Sequence, residues 1–438
     1  MVARMFVSTV NGSVLGYQGA RGFVQLPPLL EFVGDMLRID PSGSVQDHGP
    51  LAGYKAERHA DGAISLHRDG MYLCAPPDVS TVDQDRTQIG EWEKFRPVQV
   101  RDFDQTCWRQ AIWPAGHVWG QVRVVEENPA TVSVSDCIYL PWTQTGTWGL
   151  FTPDGDVVEA AMTERELYQQ KTELAEVPSF ASAEIRSESY IYCGYFNCHF
   201  GHFLIDTLSR LWHHEGHPRA KLLFHSDLAV QSWFAIPHVK LMLDALGVRP
   251  QDMVVLTEPT RLKNLVVPKT SLSAQRYVHH AYRRLCLRIA ERLGAGDARG
   301  IGGRVYLSRS RLKIGTGICA NEGAIEREFR RLGFAVVHPE ELSLQDQIAT
   351  INAADGIVGL IGSAFHLTVF CEPKRLIGIS SNNVVNANYK LLDVVAGNEA
   401  EYFTPIHVRP AADFEGFFHS GYALDDPIGV ARAVAERL

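Results

Sequence analysis

The sequence predicts an α/β protein of two Rossmann-like domains preceded by an all-β domain. Three observations predict it. Residues 1–100 are short strand-like runs punctuated by Asn11-Gly12, Ser42-Gly43 and Asp69-Gly70, dipeptides that accept the positive φ of hairpin turns. From residue 189 onward, strand-like apolar runs alternate with helical periodicity, which is the signature of βαβ units and parallel sheets. The Gly-rich stretch "ARGIGGRV" divides that alternation into two runs. A chain of 438 residues has room for two or three domains. The expected division is a β-rich accessory domain (1–100), a first Rossmann-like domain with a β-rich lead-in (101–275) and a second Rossmann-like domain (276–438).

Within 1–100, "NGSVLGY" and "DGMYLCA" look related, and "DRTQIGEWEKF" follows the second. This resembles the repeat of fascin-like β-trefoils, which implies a domain that binds glycans or organises contacts; an irregular all-β domain is the alternative. "TVDQDR" holds an Asp-x-Asp but reads as a turn. Strands are expected around Val122–Val125 and Cys137–Leu140, a hairpin at Asp154-Gly155, and a helix over about 163–172, whose first turn suits Glu164 and Glu166. Then come the strand "SYIYCGYF", a helix over "NCHFGHFLIDTLSRL", the strand "AKLLFH" and the helix "PHVKLMLDALG" ending on Gly247. The strands "DMVVLTE" and "KNLVVP" precede a long helix, "YVHHAYRRLCLRIAERLG". The second run reads "RVYLSRS" (strand), "NEGAIEREFRRLG" (helix), "FAVVHP" (strand), "SLQDQIATINAA" (helix), "GIVGL" (strand), "SAFHLTVFC" (helix) and "RLIGIS" (strand). Ligands of such folds sit at the carboxyl ends of strands.

Hydrophobic residues make up 45%, charged residues 21%, and the net charge is −8. That is an ordinary globular composition, and the charge argues against a nucleic-acid partner while allowing a local basic pocket. No run of eighteen apolar residues suggests a membrane span, and the N-terminus has no signal-peptide pattern. The eight cysteines are scattered without C-x-x-C, so reduced thiols and a cytoplasmic setting are expected.

Three motifs carry chemistry. In "VGLIGSAFHLTVF" a strand runs through Gly362 and Ser363 into a helix, whose start offers N–H groups and a positive dipole end to a phosphate. In "RVYLSRSRLK", Arg309, Arg311 and Lys313 follow a strand end, and arginine's forked donors match a diphosphate. Asn321 is expected to cap the next helix, whose start also suits Glu322. In "NCHFGHFLIDTLSRLWHH", His202, Asp206 and Arg210 are spaced i, i+4, i+8 and would share a helical face, with Leu204, Leu208 and Leu211 on another. His199 and His202 lack the glutamate and third ligand of a zinc site, so no metal is expected. "WHHEGH" reads as a solvent loop. Asp206 beside His202 is a candidate general base, and a decorated amphipathic helix is the other reading.

The ordered set "NCHFGHFLIDTLSRL", "RVYLSRS", "NEGAIE", "GFAVVHPEELSLQDQI" and "IVGLIGSA" resembles glycosyltransferase family 61 over about 120–405. The resemblance implies a GT-B enzyme, a hexosyl- or pentosyltransferase of polysaccharide biosynthesis. It would move a sugar from a nucleotide sugar to a glycan or glycoconjugate hydroxyl, with inversion and without a cofactor or metal. Asp206 falls on the family's acidic residue with His202 beside it. Arg309, the pair Asn321 and Glu322, Glu340, Glu341 and Gln347, and Gly362 with Ser363 fall on the donor side. Asn197, His199 and Arg210 fall on the acceptor side. The chain departs from the family at Ile361, where a histidine is expected, at Leu367, where an asparagine is expected, and at Cys319 and Ala320, where an arginine is missing. His366, next to Leu367, is a candidate replacement phosphate contact. The departures leave open a non-catalytic glycan-binding or scaffolding protein with a degenerate transferase body. The absence of G-x-G-x-x-G argues against an NAD-dependent epimerase.

Overall fold

The computed structural model describes residues 5–9, 14–17, 22–26, 37–39, 50–76, 82–99, 111–115, 117–143, 146–162, 183–216, 220–295, 300–312, 317–405, 408–416 and 419–438. In the N-terminal region, described strands form one antiparallel sheet on Met5–Ser8, with Val14–Tyr17, Phe23–Leu26, Arg38–Ile39 and Arg96–Gln99, and a second of four strands within 55–86. Both contribute to one apolar core, in which Val7, Leu15, Ile64, Leu66, Leu73 and Phe95 are fully buried. Asp69 (φ 56°) and Gly70 (φ 78°) turn the hairpin that pairs Arg68 with Met71. Asn11-Gly12, Ser42-Gly43, Glu164, Glu166 and the 163–172 helix, and Lys313 lie outside the described residues. "TVDQDR" is not a turn: Asp83–Arg86 is a strand paired with Met71–Cys74.

The remainder is organised by two mixed sheets. The first contains β1 (Thr131–Val134), β2 (Cys137–Leu140), β3 (Gly149–Phe151), β4 (Glu184–Tyr195), β5 (Lys221–His225), β6 (Met253–Val255) and β7 (Thr260–Pro268). Its parallel strands run β6-β5-β4-β7, an order of 3-2-1-4 in the chain. Leu222, Leu223 and Phe224 in β5 are fully buried, as expected of a strand covered on both faces. The second contains β8 (Gly303–Leu307), β9 (Ala335–Val337), β10 (Ala354–Leu360), β11 (Arg375–Ile379) and β12 (Glu399–Pro405), parallel in the order β9-β8-β10-β11-β12, or 2-1-3-4-5. Each order reverses direction once, beside β4 in the first sheet and beside β8 in the second. Such switch points leave a crevice beyond the strand ends.

The crossovers include helices α1 (Pro237–Ala245), α3 (Glu322–Arg331), α4 (Leu344–Ala353) and α5 (Ala387–Ala396), while α2 (His280–Arg292) lies between the last strand of the first sheet and the first strand of the second. The expected long helix starts late, at His280, because Tyr277–His279 is a strand paired with Val124–Val125 and Leu272–Ser273. The lead-in is woven into the second sheet: Ile112–Pro114 pairs with β12, and His117–Trp119 runs parallel to Val384–Asn386. One apolar cluster joins the two sheets, with Leu222 and Phe224 from β5, Val305 and Leu307 from β8, Ile357 from β10, and Tyr282, Leu285 and Ile289 from α2. Among the described residues, no helix is long and apolar enough to cross a membrane. The seven described cysteines are free.

Candidate active site

The segment 200–216 is helical throughout, but not uniformly α. Phe200–His202 is α, Phe203–Thr207 is a π turn, and Leu208–Gly216 tightens to 3₁₀. Its apolar side is as expected, with Leu204, Leu208 and Leu211 buried. Around the π turn, Tyr282 Oη donates to the Leu204 carbonyl (2.5 Å), Ser209 Oγ to the Asp206 carbonyl (2.6 Å), and Thr207 Oγ1 accepts from the Asn197 N–H (2.9 Å). π turns recur at functional sites because they re-aim side chains within a helix.

His202 Nδ1 and Asp206 Oδ2 lie 3.1 Å apart, so the i, i+4 contact forms. The expected continuation to Arg210 does not. Arg210 is buried, and its guanidinium donates to the carbonyls of Ala160 (2.8 Å), Pro268 (2.5 Å) and Met162 (3.1 Å). The change of helical pitch between the two residues redirects it into the floor of the first switch point. A pocket of about 560 Å³ opens there, lined by Gly194, Tyr195, Asn197, Asp206, Lys269 and Tyr277 among others, with Arg210 in its wall. Asn197 Oδ1 accepts from the His199 N–H (3.0 Å), and the exposed His199 ring meets the His202 ring at 5.3 Å. "WHHEGH" is not a loop through residue 216: Trp212 Nε1 donates to the Lys269 carbonyl (2.9 Å), and Glu215 pairs with Arg288 (2.5 Å) and Arg292 (2.6 Å) on α2.

A second pocket of about 340 Å³ lies at the other switch point, beyond β8 and β10. Arg309, Gly362, Ser363, Tyr389 and Trp119 line it. Arg309 Nη1 donates to the Ile361 carbonyl (2.9 Å) and its backbone N–H to Glu322 Oε1 (2.9 Å). Gly362 has an extended backbone any residue could adopt, but a Cβ there would stand 2.9 Å from Arg309 Nε. The glycine is needed for that close approach. Ser363 begins a 3₁₀ helix, Ser363–Phe370.

The other donor-side candidates divide. Glu322 is buried and also accepts from Tyr306 Oη (2.9 Å) and Ser308 Oγ (3.2 Å); burial raises its pKa against those bonds. It braces the strand end that carries Arg309. Asn321 does not cap α3. Its side chain instead takes both the N–H (3.0 Å) and the carbonyl (2.7 Å) of Leu424, since a paired strand offers a complete peptide partner. Glu340 accepts from the Arg311 N–H (3.0 Å), Glu341 pairs with the Arg311 side chain, and Gln347 donates to the Leu342 carbonyl (3.2 Å). None of these three lines the second pocket.

The helix that carries Asp206 touches the turn that carries Ser363 at Gly201, beside His366. A Cβ on Gly201 would stand 2.6 Å from Ser363 Oγ and 4.0 Å from the His366 ring. His366 is buried, stacks on Tyr389 at 4.7 Å, and leaves Nδ1 unpartnered among the described residues. Burial, then the neighbouring His202, holds its pKa down at about 4, so the ring is neutral. Tyr389 and Trp119 were not singled out from the sequence, because nothing in "NANYK" or "HVWGQ" distinguishes a pocket wall from a packed aromatic. Among the described residues, no three His, Cys, Asp or Glu side chains cluster as a metal site.

The arrangement therefore puts the Asp206 carboxylate, bonded to His202, at one crevice and a guanidinium with a helix start at the other. No curated protein matches the chain. Residues 200–378, which carry the His202–Asp206 pair and the Arg309–Gly362–Ser363 turn alike, match the family model for glycosyltransferase 61 and so support a glycosyltransferase.

Proposed function

We propose that the protein is an inverting glycosyltransferase of GT-B type that moves a sugar from a nucleotide sugar to a hydroxyl of a glycan or glycoconjugate. One observation carries the reading: the helix bearing Asp206, which lines one pocket, touches at Gly201 the turn bearing Ser363, which lines the other. The acceptor occupies the 560 Å³ pocket, where Asp206 takes the hydroxyl proton and His202 orients the carboxylate. The acceptor oxygen bonds to the anomeric carbon as the bond to the leaving phosphate oxygen breaks. Arg309, Ser363 and the first N–H groups of the 363–370 helix take up the negative charge on the diphosphate. This neutralisation needs no divalent metal. Support for the two-Rossmann layout comes from the strand orders 3-2-1-4 and 2-1-3-4-5. The N-terminal β domain is read as a trefoil-type accessory module.

The test is a nucleotide-sugar panel run with EDTA present, scored by thermal shift and product analysis. A single nucleotide should raise Tm, because a ligand that binds only the native state stabilises it. Asp206→Asn should keep that shift and lose on the order of a hundredfold or more in turnover. Near-normal turnover in Asp206→Asn removes the base assignment, and no shift with any nucleotide removes the whole reading.

A further inference from the structure

We infer that Trp119 is the stacking platform for the nucleobase of a nucleoside diphosphate held in the Arg309 pocket. The inference rests on the donor-site reading above and deepens it.

Trp119 is 55% exposed, and among the described residues with large exposed apolar side chains it is the one that lines either pocket. An indole left in water at a pocket rim is an unsatisfied apolar face, since burying a side chain of this size would stabilise the fold by kilocalories. Its backbone is nonetheless fixed on both sides. His117–Trp119 pairs in parallel with Val384–Asn386, with Trp119 opposite Asn386. Directly after it, Gly120 (φ 109°) is pressed so closely between Gln275 and Ala387 that a Cβ would lie 2.7 Å from the Gln275 carbonyl oxygen. The Gln121 N–H then bonds that same carbonyl (2.7 Å). The backbone that carries the ring is thus held in place while the ring itself is not packed away.

Part of the rest of the rim is polar and preset, with Ser380, Ser381, Asn382 and Asn386 among the lining residues. In the turn after β11, the Ser380 hydroxyl has the Val384 carbonyl (3.0 Å) and Asn382 Oδ1 (3.2 Å) within reach as acceptors for its one proton, and the Val384 N–H closes on Asn382 Oδ1 (3.2 Å). A flat aromatic face beside amide and hydroxyl groups, in the pocket that also holds Arg309, matches a planar heterocycle joined to a diphosphate. Every base offers a π-face, so stacking supplies affinity whichever base the edge groups select. An acceptor sugar is less suited to this position, because the carboxylate that would activate it lies in the other pocket. Trp119 also lies outside the 200–378 family match, so the lead-in would complete a site that the matched segment begins.

The experiment is calorimetric titration of the 438-residue chain and of its Trp119→Ala and Trp119→Phe variants with UDP, GDP, ADP and inorganic pyrophosphate. For the nucleotide the wild type binds best, Trp119→Ala should weaken binding by roughly ten- to a hundredfold, as loss of one base stack does, and Trp119→Phe should stay within a few-fold. Pyrophosphate, which has no base, should bind wild type and Trp119→Ala alike. Unchanged nucleotide affinity in Trp119→Ala overturns this inference and leaves the donor-site reading standing. An equal loss of nucleotide and pyrophosphate also overturns it. A wild type that binds none of the three nucleotides overturns both.

Discussion

His225 shows at a single residue how burial fixes a charge state. Its Nε2 lies 2.8 Å from the Leu140 carbonyl and must donate the proton, so Nδ1 accepts from Tyr192 Oη at 2.9 Å. The ring is fully buried and stacks on Tyr139 at 4.1 Å. Burial lowers its pKa to about 3, as it lowers that of His366 to about 4. In the unfolded chain both imidazoles protonate near 6.5. Below that pH the unfolded state binds more protons, so the native state loses stability as pH falls from 6.5 towards 4, and gains nothing further above it. The expected loss is about 2 kcal/mol per buried histidine between pH 7.5 and pH 5. Guanidinium unfolding at pH 7.5, 6 and 5 checks it, and His366→Phe should flatten the slope. Of this pair the sequence singled out His366 alone, and as a phosphate contact; the histidine-rich 199–214 stretch drew the eye away from His225. Sequence reading counts imidazoles but cannot weigh their desolvation.

At the scale of elements, the strands and most helices were legible because period 2 and period 3.6 are written into the apolar pattern. The His202–Asp206 contact was legible for the same reason. What failed was pitch and context. A π turn is chosen by what packs around it, here Tyr282, Ser209 and Thr207, so the spacing to Arg210 misled. Residues 277–279 fit a helical pattern but were claimed by a strand partner more than 150 residues earlier in the chain. The turn after β10 is the element whose sequence speaks most directly. Gly362→Ala should push the Arg309 side chain off the Ile361 carbonyl while leaving the backbone unstrained. Nucleotide affinity should fall on the order of tenfold, about the worth of one charge-assisted bond, with stability changed by under about 1 kcal/mol. Calorimetric titration beside a denaturant curve separates the two effects.

Across the whole molecule, the two sheets share one apolar cluster, with α2 packed into it between residues of both. The β-rich N-terminus has its own cluster, with no member in common. The described residues from 111 to 438 should therefore unfold in one cooperative transition, with the N-terminal domain free to melt separately. Trp233→Ala, which removes a fully buried indole stacked on Phe196 at 3.6 Å, should lower that transition by about 3–5 kcal/mol. Ile357→Ala, in the other sheet, should lower the same transition. Scanning calorimetry checks both, and two separate shifts would show that the halves are independent. The sequence by itself determined the alternation of strands and helices, the carboxylate–histidine pair and the glycine turn, because each is a local pattern of a few residues. Only the tertiary structure decided which strands neighbour which, and so where the crevices open. It turned Arg210, Asn321 and Glu322 into braces for the backbone, placed Trp119 at a pocket rim, and brought Gly201 against Ser363. Those outcomes depend on contacts between residues far apart in the chain, whose energies arise only when the sheets have twisted and packed.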